Sequence, residues 1–340
     1  MQQRSDAVLE VRGLTKYFHV GGGGPFGFGG EPRMLHAVED VSFTLRRGKI
    51  LALVGESGSG KSTIARLLVR LYPATRGQAL LDGKDILKLR GRTALLKYRG
   101  QVQMVFQDPF GSLNPVKTVA HHIVRPLQIH KEVDTGRGRA MNQVHELLRI
   151  VGLTPPEEMA TKYPHQLSGG QRQRVSFARA LAANPEVVLA DEPVSMLDVS
   201  IRMGILNMMG ALRDERGLSY LYITHDLASA RYIADETMVL YAGHVAETGS
   251  SEDVMADPLH PYTQLLLSAV PNPSAGLAKR RVEARGEIPV VINPRPGCRF
   301  ANRCPHVMDI CRKETPALME VRPGRHVRCY LYGKESVPSA

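Results

Sequence analysis

The chain has 340 residues, enough for one large domain and a smaller appendage. Hydrophobic residues make up 43% of it and charged residues 23%, as in ordinary globular proteins. No apolar stretch approaches the roughly 18 residues that a membrane span requires. The N-terminal residues lack a secretory pattern, so we expect a cytoplasmic protein with reduced cysteines.

The formal net charge of +11 is concentrated near the C-terminus. Residues 277–335 contain thirteen Lys or Arg against six Asp or Glu. Such a segment fits contact with nucleic acid, attraction to an anionic membrane face, compensation of a buried negative centre, or a solvated basic surface. Composition alone favours the solvated surface.

The N-terminal part of the chain predicts strands followed by a glycine loop and a helix. Residues 7–20 and 35–55 contain apolar residues with a period near two, which indicates strands, and GGGGPFGFGGEP between them reads as a flexible insertion. The apolar run ILALV at 50–54 leads directly into GESGSGKST and then into the helical pattern IARLLVRLY. A strand, a glycine loop and a helix therefore follow one another without a gap.

Two more buried strands are predicted downstream. They are EVVLADE at 186–192 and LSYLYITHD at 218–226, and each follows a helical pattern, as in the α/β alternation of a largely parallel sheet. The chain between the glycine loop and these strands is mostly helical over about 112–182, which predicts an inserted helical subdomain. Proline breaks and scattered cysteines then dominate, so we expect one domain at 1–260 and a C-terminal region at 261–340.

The glycine loop matches the pattern G-x-x-x-x-G-K-[ST] at every fixed position, between a predicted strand and a predicted helix. Its glycines let successive N–H groups point at phosphates, and the helix adds its positive N-terminal end. We expect Lys61 to hold the β- and γ-phosphates of ATP, Ser62 to bind Mg²⁺, and Thr63 to contact an adjacent phosphate oxygen. The predicted nucleotide-binding residues here are Gly55, Ser57, Gly58, Ser59, Gly60, Lys61, Ser62 and Thr63.

Two acidic residues end the strand at 186–192. We expect Asp191 to reach Mg²⁺ through water, and Glu192 to orient the attacking water or accept its proton. An acidic pair after a strand would on its own be interpreted as a helix N-cap. The upstream phosphate loop favours the interpretation as metal-binding and catalytic residues.

The segment Leu167-Ser168-Gly169-Gly170-Gln171, followed by RQRVSFARAL, resembles the signature motif of ABC ATPases. The resemblance implies a P-loop NTPase fold of the ABC type with a helical subdomain. It also implies that Ser168, Gly169, Gly170 and Gln171 bind the γ-phosphate of an ATP held by a second chain. Because the chain carries one copy of each motif, hydrolysis would require a dimer.

Other elements of the family follow in the expected order. Gln107, in VFQDP, resembles the glutamine that senses Mg²⁺ and the attacking water, and His225, in ITHD, resembles the switch histidine that contacts the γ-phosphate. Asp198, in SMLD, lies in a segment that resembles the loop crossing the dimer interface. Phe18, in LTKYF, corresponds to the aromatic residue that stacks on adenine, and Tyr17 is its alternative.

Three longer segments narrow the resemblance. FQDPFGSLNP at 106–115, DEPVSMLDVS at 191–200 and DPLHPYTQLLLSAVP at 257–271 resemble the ATPase subunits of oligopeptide, dipeptide and nickel importers, and GKST with DEPVS resembles the second of two paired ATPases. The resemblance implies ATP-driven peptide import, with oligosaccharide or nickel as alternative cargo. An ABC ATPase acting on nucleic acid or ribosomes is less favoured, since neither a second cassette nor a coiled-coil insertion is visible.

The same resemblance implies the partners and the location of the chain. The partners would be a second, paralogous ABC ATPase, two transmembrane permease subunits and an extracytoplasmic substrate-binding protein, without nucleic acid. A helix of a transmembrane subunit would dock beside Gln107 and residues 108–115. The chain would then lie peripherally on the cytoplasmic face of the cell membrane.

All four cysteines, Cys298, Cys304, Cys311 and Cys329, lie within 32 residues and are predicted to share a ligand. Their spacing lacks the short C-x₂₋₄-C knuckle of structural zinc sites. Four thiolates also suit a [4Fe–4S] cluster, which the resemblance to the importers favours, while zinc and unligated thiols stay as alternatives. Four arginines are expected to offset the negative charge of such a cluster: Arg299, Arg303, Arg312 and Arg328.

Overall fold

The computed structural model describes residues 6–21, 33–130, 137–269 and 289–333. The glycine-rich insertion beyond Gly21 and residues 277–288 of the basic segment lie outside these ranges. The chain packs as two compact units. Of the described residues, the first unit contains 6–9, 44–50 and 80–223, and the second contains 10–43, 51–79 and 224–333.

The described ranges contain both strands and helices. The strands are β1 (Ala7–His19), β2 (Met34–Arg46), β3 (Ile50–Val54), β4 (Arg76–Leu81), β5 (Lys84–Asp85), β6 (Val102–Val105), β7 (Val187–Asp191), β8 (Ser219–Thr224), β9 (Glu236–Tyr241), β10 (His244–Ser250), β11 (Met319–Arg322) and β12 (Arg325–Val327). The α-helices are α1 (Lys61–Leu68), α2 (Arg92–Gln101), α3 (Pro109–Ser112), α4 (Val119–His130), α5 (Arg137–Ile150), α6 (Pro156–Thr161), α7 (Gly169–Leu181), α8 (Val199–Arg216), α9 (Leu227–Ile233), α10 (Ser251–Ala256) and α11 (Pro261–Ser268). Over these ranges, no helix combines the length and the apolar character that crossing a bilayer requires.

The first unit contains a sheet of parallel strands. β7 pairs with β6 on one side and with β8 on the other, so that Val188 lies opposite both Gln103 and Tyr220. Every residue of β7 and β8 is buried, as expected for parallel strands that are covered on both faces. Between β6 and β7 the chain forms α3 to α7, so the described part of 112–182 is helical and contains no strand.

The second unit contains a mixed sheet. β3 pairs with β9 in parallel, and β10 returns antiparallel to β9. The C-terminal strands continue this sheet, because β12 pairs antiparallel with β10, with Val327 opposite Glu247, and β11 pairs antiparallel with β12. Residues beyond 260 thus add two strands to the sheet that carries β3. The domain boundary near residue 260 stays a prediction.

A smaller sheet has the strand order β2-β1-β4-β5. In β2, Val41, Phe43 and Leu45 are buried and the residues between them are exposed, which is the period-two pattern of a strand with one covered face. The stretch predicted at 35–55 divides into β2 and β3, because a turn at residues 47–49 separates them.

Candidate nucleotide site and cysteine cavity

The phosphate loop joins β3 to α1 in the second unit. Lys61, the first residue of α1, is only 4% exposed. Its Nζ donates to the carbonyl oxygens of Gly55 at 2.7 Å and Glu56 at 2.8 Å, and to Ser59 Oγ at 3.3 Å. The ammonium group therefore lies inside the curve of the loop, next to the positive end of α1. Backbone N–H groups and a buried ammonium in this arrangement can bind a phosphate chain.

Gly60 forms the N-cap of α1 with a φ of 107°, a conformation that side chains disfavour. A Cβ atom at this position would lie 2.4 Å from the carbonyl oxygen of Ala37 in β2. Both the backbone conformation and the close contact therefore require glycine here. The second fixed glycine of the motif lets the loop pack directly against a strand.

A polar group follows β6 and β7 in the first unit. Gln107 Nε2 donates to Glu192 Oε2 at 2.8 Å, while Asp191 ends β7 and is 3% exposed. Glu192 has a positive φ of 46°, and its N–H donates to the carbonyl oxygen of Ile223 at 2.9 Å. A positive φ is uncommon in a non-glycine residue, and functional positions are one place where it occurs. The structure thus brings Gln107, Asp191 and Glu192 together at the carboxyl ends of parallel strands, where ligands bind.

The signature segment starts α7 in the first unit. Ser168 is the N-cap, its Oγ accepts from the Gln171 N–H at 3.3 Å, and Gln171 Oε1 accepts from the Ser168 N–H at 3.0 Å. This capping box fixes the start of the helix while Ser168 stays exposed. A Cβ at Gly170 would lie 2.4 Å from Ile201 Cγ2, so glycine allows close packing there. A rigid, exposed helix N-terminus of this kind can bind an anion.

Two more predicted residues lie in loops. Asp198 is the N-cap residue of α8, in the loop after Glu192, and Ser195 Oγ donates to the Glu192 carbonyl oxygen at 3.0 Å. His225 directly follows β8 and is exposed. The interface loop is thus connected through Ser195 to the backbone of the proposed catalytic residue.

The two aromatic candidates for adenine have different surroundings. Tyr17 Oη donates to Glu39 Oε1 at 2.6 Å, and its ring stacks on His36 with the centroids 3.8 Å apart. Burial, together with the Glu39 carboxylate, raises the pKa of Tyr17 to about 12. Phe18 makes an edge-to-face contact with Tyr72 instead. Because the Lys16 ammonium lies 4.7 Å from the Phe18 ring centroid, both rings already have a neighbour, and the choice between Phe18 and Tyr17 stays a prediction.

The predicted site residues therefore fall into two groups. The first unit carries Gln107, Ser168, Gly169, Gly170, Gln171, Asp191, Glu192 and Asp198, and the second carries Tyr17, Phe18, His225 and the loop residues from Gly55 to Thr63. Within each unit, the residues of one motif lie together as the motif requires.

All four cysteines line one cavity in the second unit. The Cys298 N–H donates to the Cys311 carbonyl oxygen at 2.7 Å, and the His306 N–H donates to Cys304 Sγ at 3.4 Å. Burial raises the pKa of the Cys298, Cys304 and Cys329 thiols, that of Cys329 to about 11. In the described part of the chain, however, no three His, Cys, Asp or Glu side chains form a group that could hold a metal ion.

This cavity can be compared with the two predicted ligands. A single zinc ion with Zn–S bonds of about 2.3 Å would hold its sulfurs about 3.8 Å apart, and no such group occurs among the described residues. An iron–sulfur cluster binds each cysteine through a different iron, so it accepts more widely separated sulfurs. Among the described residues, the four cysteines therefore share a cavity without forming a ligand set for either group.

The arginines near the cysteines have other partners than expected. Arg303 pairs with the Glu56 carboxylate, and Arg299 pairs with the Glu39 carboxylate. These two arginines therefore have carboxylate partners in the structure, and their compensation of a negative cluster stays a prediction. The Glu56 contact is a feature that the sequence motif did not reveal, because Glu56 occupies a variable position of the glycine loop.

Comparisons with known proteins agree with this geometry. Residues 38–195 match the ABC transporter family, and residues 246–311 match the C-terminal region of oligopeptide/dipeptide transporters. The oligopeptide transport ATP-binding protein AppF of Bacillus subtilis is 45% identical over 96% of this chain and 98% of its own length. The dipeptide transport ATP-binding protein DppF of Haemophilus influenzae is 43% identical over 95% of this chain and 96% of its own length.

A solved structure gives the same result for the fold. A dimeric ATP-binding cassette in a post-hydrolysis state, bound to ADP and Pi, is 28% identical with a TM-score of 0.63 and covers 72% of this chain and 98% of its own. The chain belongs to the ABC transporter family of ATP-binding proteins, whose fold is that of P-loop NTPases. Within that family it is a member of the oligopeptide and dipeptide transporter group.

Proposed function

We propose that this chain hydrolyses ATP to drive the import of peptides by an ABC transporter. The observation that carries the proposal is identity of 43–45% with oligopeptide and dipeptide transport ATP-binding proteins over nearly the whole chain. The match to the oligopeptide/dipeptide transporter C-terminal region supports the same cargo.

The residue roles follow from the chemistry of phosphoryl transfer, in which positioning and charge stabilisation dominate. Lys61 neutralises the β- and γ-phosphates, Ser62 would bind Mg²⁺, and Asp191 would reach Mg²⁺ through water. Glu192 accepts the proton of the attacking water, and Gln107 orients the Glu192 carboxylate through the 2.8 Å hydrogen bond. His225 contacts the γ-phosphate.

A second ATPase completes each catalytic site in this proposal. The exposed Ser168 and the N–H groups of Gly169 and Gly170 bind the γ-phosphate of ATP held by the partner chain. The likeness to a cassette that is dimeric with ADP and Pi supports this arrangement. The partner would be a paralogous ATPase, and Asp198 would lie at the interface with it.

The remaining partners belong to the membrane part of the transporter. Two permease subunits would form the pathway, and a helix of one of them would dock beside Gln107 and residues 108–115. Phe110 is 54% exposed there, with the Arg172 guanidinium 4.2 Å from its ring centroid, so an apolar side chain is available for contact. An extracytoplasmic substrate-binding protein would deliver the peptide, with this chain on the cytoplasmic face.

The cysteine cavity would hold a [4Fe–4S] cluster through Cys298, Cys304, Cys311 and Cys329. The support is that all four line one cavity and that the His306 N–H donates to Cys304 Sγ there. A structural cluster would tie the cysteine segments together. Anaerobic purification followed by iron and sulfide analysis tests this, with Cys329→Ser as the comparison; zinc, or no metal, would contradict it.

The transport proposal is tested by purifying the tagged full chain in mild detergent and identifying what accompanies it. A second ATPase and two multi-span proteins are expected, and the purified complex should hydrolyse ATP faster when peptide and its binding protein are added. Stimulation by an oligosaccharide or by nickel instead of peptide would reassign the cargo. Recovery of ribosomes or nucleic acid without membrane proteins would overturn the proposal.

A further inference from the structure

Glu56, the second residue of the phosphate loop, is held at three points. Its carboxylate accepts from Arg303 Nη1 at 2.8 Å and from Arg303 Nη2 at 3.0 Å. Its N–H donates to Tyr262 Oη at 2.9 Å, and its carbonyl oxygen accepts from Lys61 Nζ at 2.8 Å. The residue that helps to hold the phosphate-binding lysine is therefore fixed by two side chains from the C-terminal part of the chain.

Both of these side chains are themselves rigidly placed. The Arg303 side chain is 6% exposed, and its guanidinium lies 5.7 Å from the Tyr241 ring centroid and 6.0 Å from that of Phe300. Tyr262 is fully buried, and its ring centroid lies 4.5 Å from that of Tyr241 and 5.5 Å from that of Phe300. This aromatic support limits the freedom of the donors, so the free-energy cost of ordering them has already been met on folding.

The geometry of the ion pair between Arg303 and Glu56 indicates that Arg303 positions the Glu56 carboxylate and does more than balance its charge. Two parallel N–H···O bonds fix both the distance and the plane of a carboxylate, whereas a lysine would supply only a point charge. The Glu56 side chain is 31% exposed, so charge neutralisation alone would not need such a partner. The contact instead fixes the start of the loop, directly before the residues that face the phosphates.

We infer that the C-terminal region sets the conformation of the phosphate loop, with Arg303 and Tyr262 as positioning residues that act on ATP through Glu56. The inference rests on the proposed ATPase function and adds a role for a region that otherwise carries the cysteines. Without the contacts from Arg303 and Tyr262, Glu56 loses both side-chain partners, and its carbonyl oxygen no longer holds Lys61 Nζ in place. ATP would then have to order the loop itself, which weakens binding.

The test measures the affinity of the full chain for ATP and Mg²⁺ by calorimetric titration. Arg303→Ala is expected to raise the Kd roughly tenfold, which corresponds to about 1.4 kcal/mol of binding free energy. Arg303→Lys should recover part of the affinity, because it keeps the charge without the paired hydrogen bonds. The double variant Arg303→Ala/Glu56→Gln should bind no more weakly than Arg303→Ala, since both changes remove the same contact.

A matched control is available in the same region. Arg322 pairs with Asp257 at 2.6 Å, both side chains are more than half exposed, and neither contacts the loop. Arg322→Ala should leave the Kd unchanged. The melting temperature without nucleotide is measured for every variant, and the purified transporter provides KM and kcat. A positioning role predicts a higher KM for ATP with kcat at saturating ATP within about twofold.

The outcomes separate the inference from the function on which it rests. If the unaltered chain fails to bind ATP, the proposed function fails. If that chain binds ATP and Arg303→Ala binds it equally well, the contact between Arg303 and Glu56 has no role in the nucleotide site and the inference is overturned. A lower melting temperature with unchanged Kd and KM would likewise reduce Arg303 to a purely structural residue.

Discussion

The buried ion pair between Glu247 and Arg325 allows a quantitative prediction about stability. The Glu247 side chain is 0% exposed and that of Arg325 is 4% exposed, and Arg325 Nη2 donates to Glu247 Oε1 at 2.5 Å. The same carboxylate accepts from the N–H groups of Leu259 and His260 at 2.9–3.2 Å. This pair therefore fixes β10, β12 and the start of α11 to one another.

The change to test is Arg325→Met, which keeps apolar volume but leaves the carboxylate without its counter-charge. Removing one partner of a buried pair costs about 3–5 kcal/mol. We expect the lower end, about 3 kcal/mol, because two backbone N–H donors remain and because Arg325 Nε has no hydrogen-bond partner to lose. The double variant Glu247→Gln/Arg325→Met should regain at least half of this loss, since it leaves no buried charge and its amide oxygen can still accept from the N–H groups of Leu259 and His260.

The assay is urea unfolding of the full chain, monitored by circular dichroism and by tyrosine fluorescence. The tyrosine signal can be used because the chain contains no tryptophan. Arg322→Met serves as the control, because its pair with Asp257 is exposed on both sides and should be worth less than about 1 kcal/mol. If Arg325→Met costs no more than this control, the argument from burial is refuted. A double variant less stable than Arg325→Met would show that the ion pair is not the cause.

Three further predictions concern catalysis, the loop and pH. Glu192→Gln should slow ATP turnover by about 10²–10⁴-fold while ATP binding persists, and normal phosphate release would show that Glu192 is not the base. Gly60→Ala should cost about 2 kcal/mol in urea unfolding and weaken ATP binding, because a Cβ cannot fit at a φ of 107°; an unchanged midpoint would contradict this. Burial lowers the pKa of His244 and His260 to about 4 from 6.5, so unfolding takes up protons between these values. The urea midpoint of the unaltered chain should therefore stay constant above pH 6.5 and decrease as the pH falls from 6.5 to 4. A variant lacking both histidines should show a smaller decrease over the same range.

Much of the site could be predicted because its motifs are local. The contacts that Lys61 makes with Gly55, Glu56 and Ser59 span at most six residues, so a short pattern of residue types already determines them. The capping box of Ser168 and Gln171 is local in the same way. The apolar run at 187–190 also predicts a strand buried on both faces, since continuous apolar runs are typical of central parallel strands.

The aromatic residue for adenine could not be chosen from sequence, because Tyr17 and Phe18 are adjacent and chemically similar. Their surroundings differ through Glu39 and His36, which lie about twenty residues away and contact Tyr17 only after β1 and β2 have formed. The domain boundary likewise depends on contacts between residues that are far apart in the chain. Proline breaks indicate a change near residue 260, but the pairing of β12 with β10 depends on strand register across some eighty residues.

The sequence by itself determined the motifs of this protein and predicted their chemistry: a glycine loop suited to phosphates, an acidic strand end and a signature segment at a helix start. It also located four cysteines in one segment. Only the tertiary structure decided which charges meet. Arg303 was expected to serve the cysteines, yet it binds Glu56, which is 247 positions away in the chain. Charged side chains take the nearest opposite charge that packing makes available, and packing brings together residues that no short motif relates.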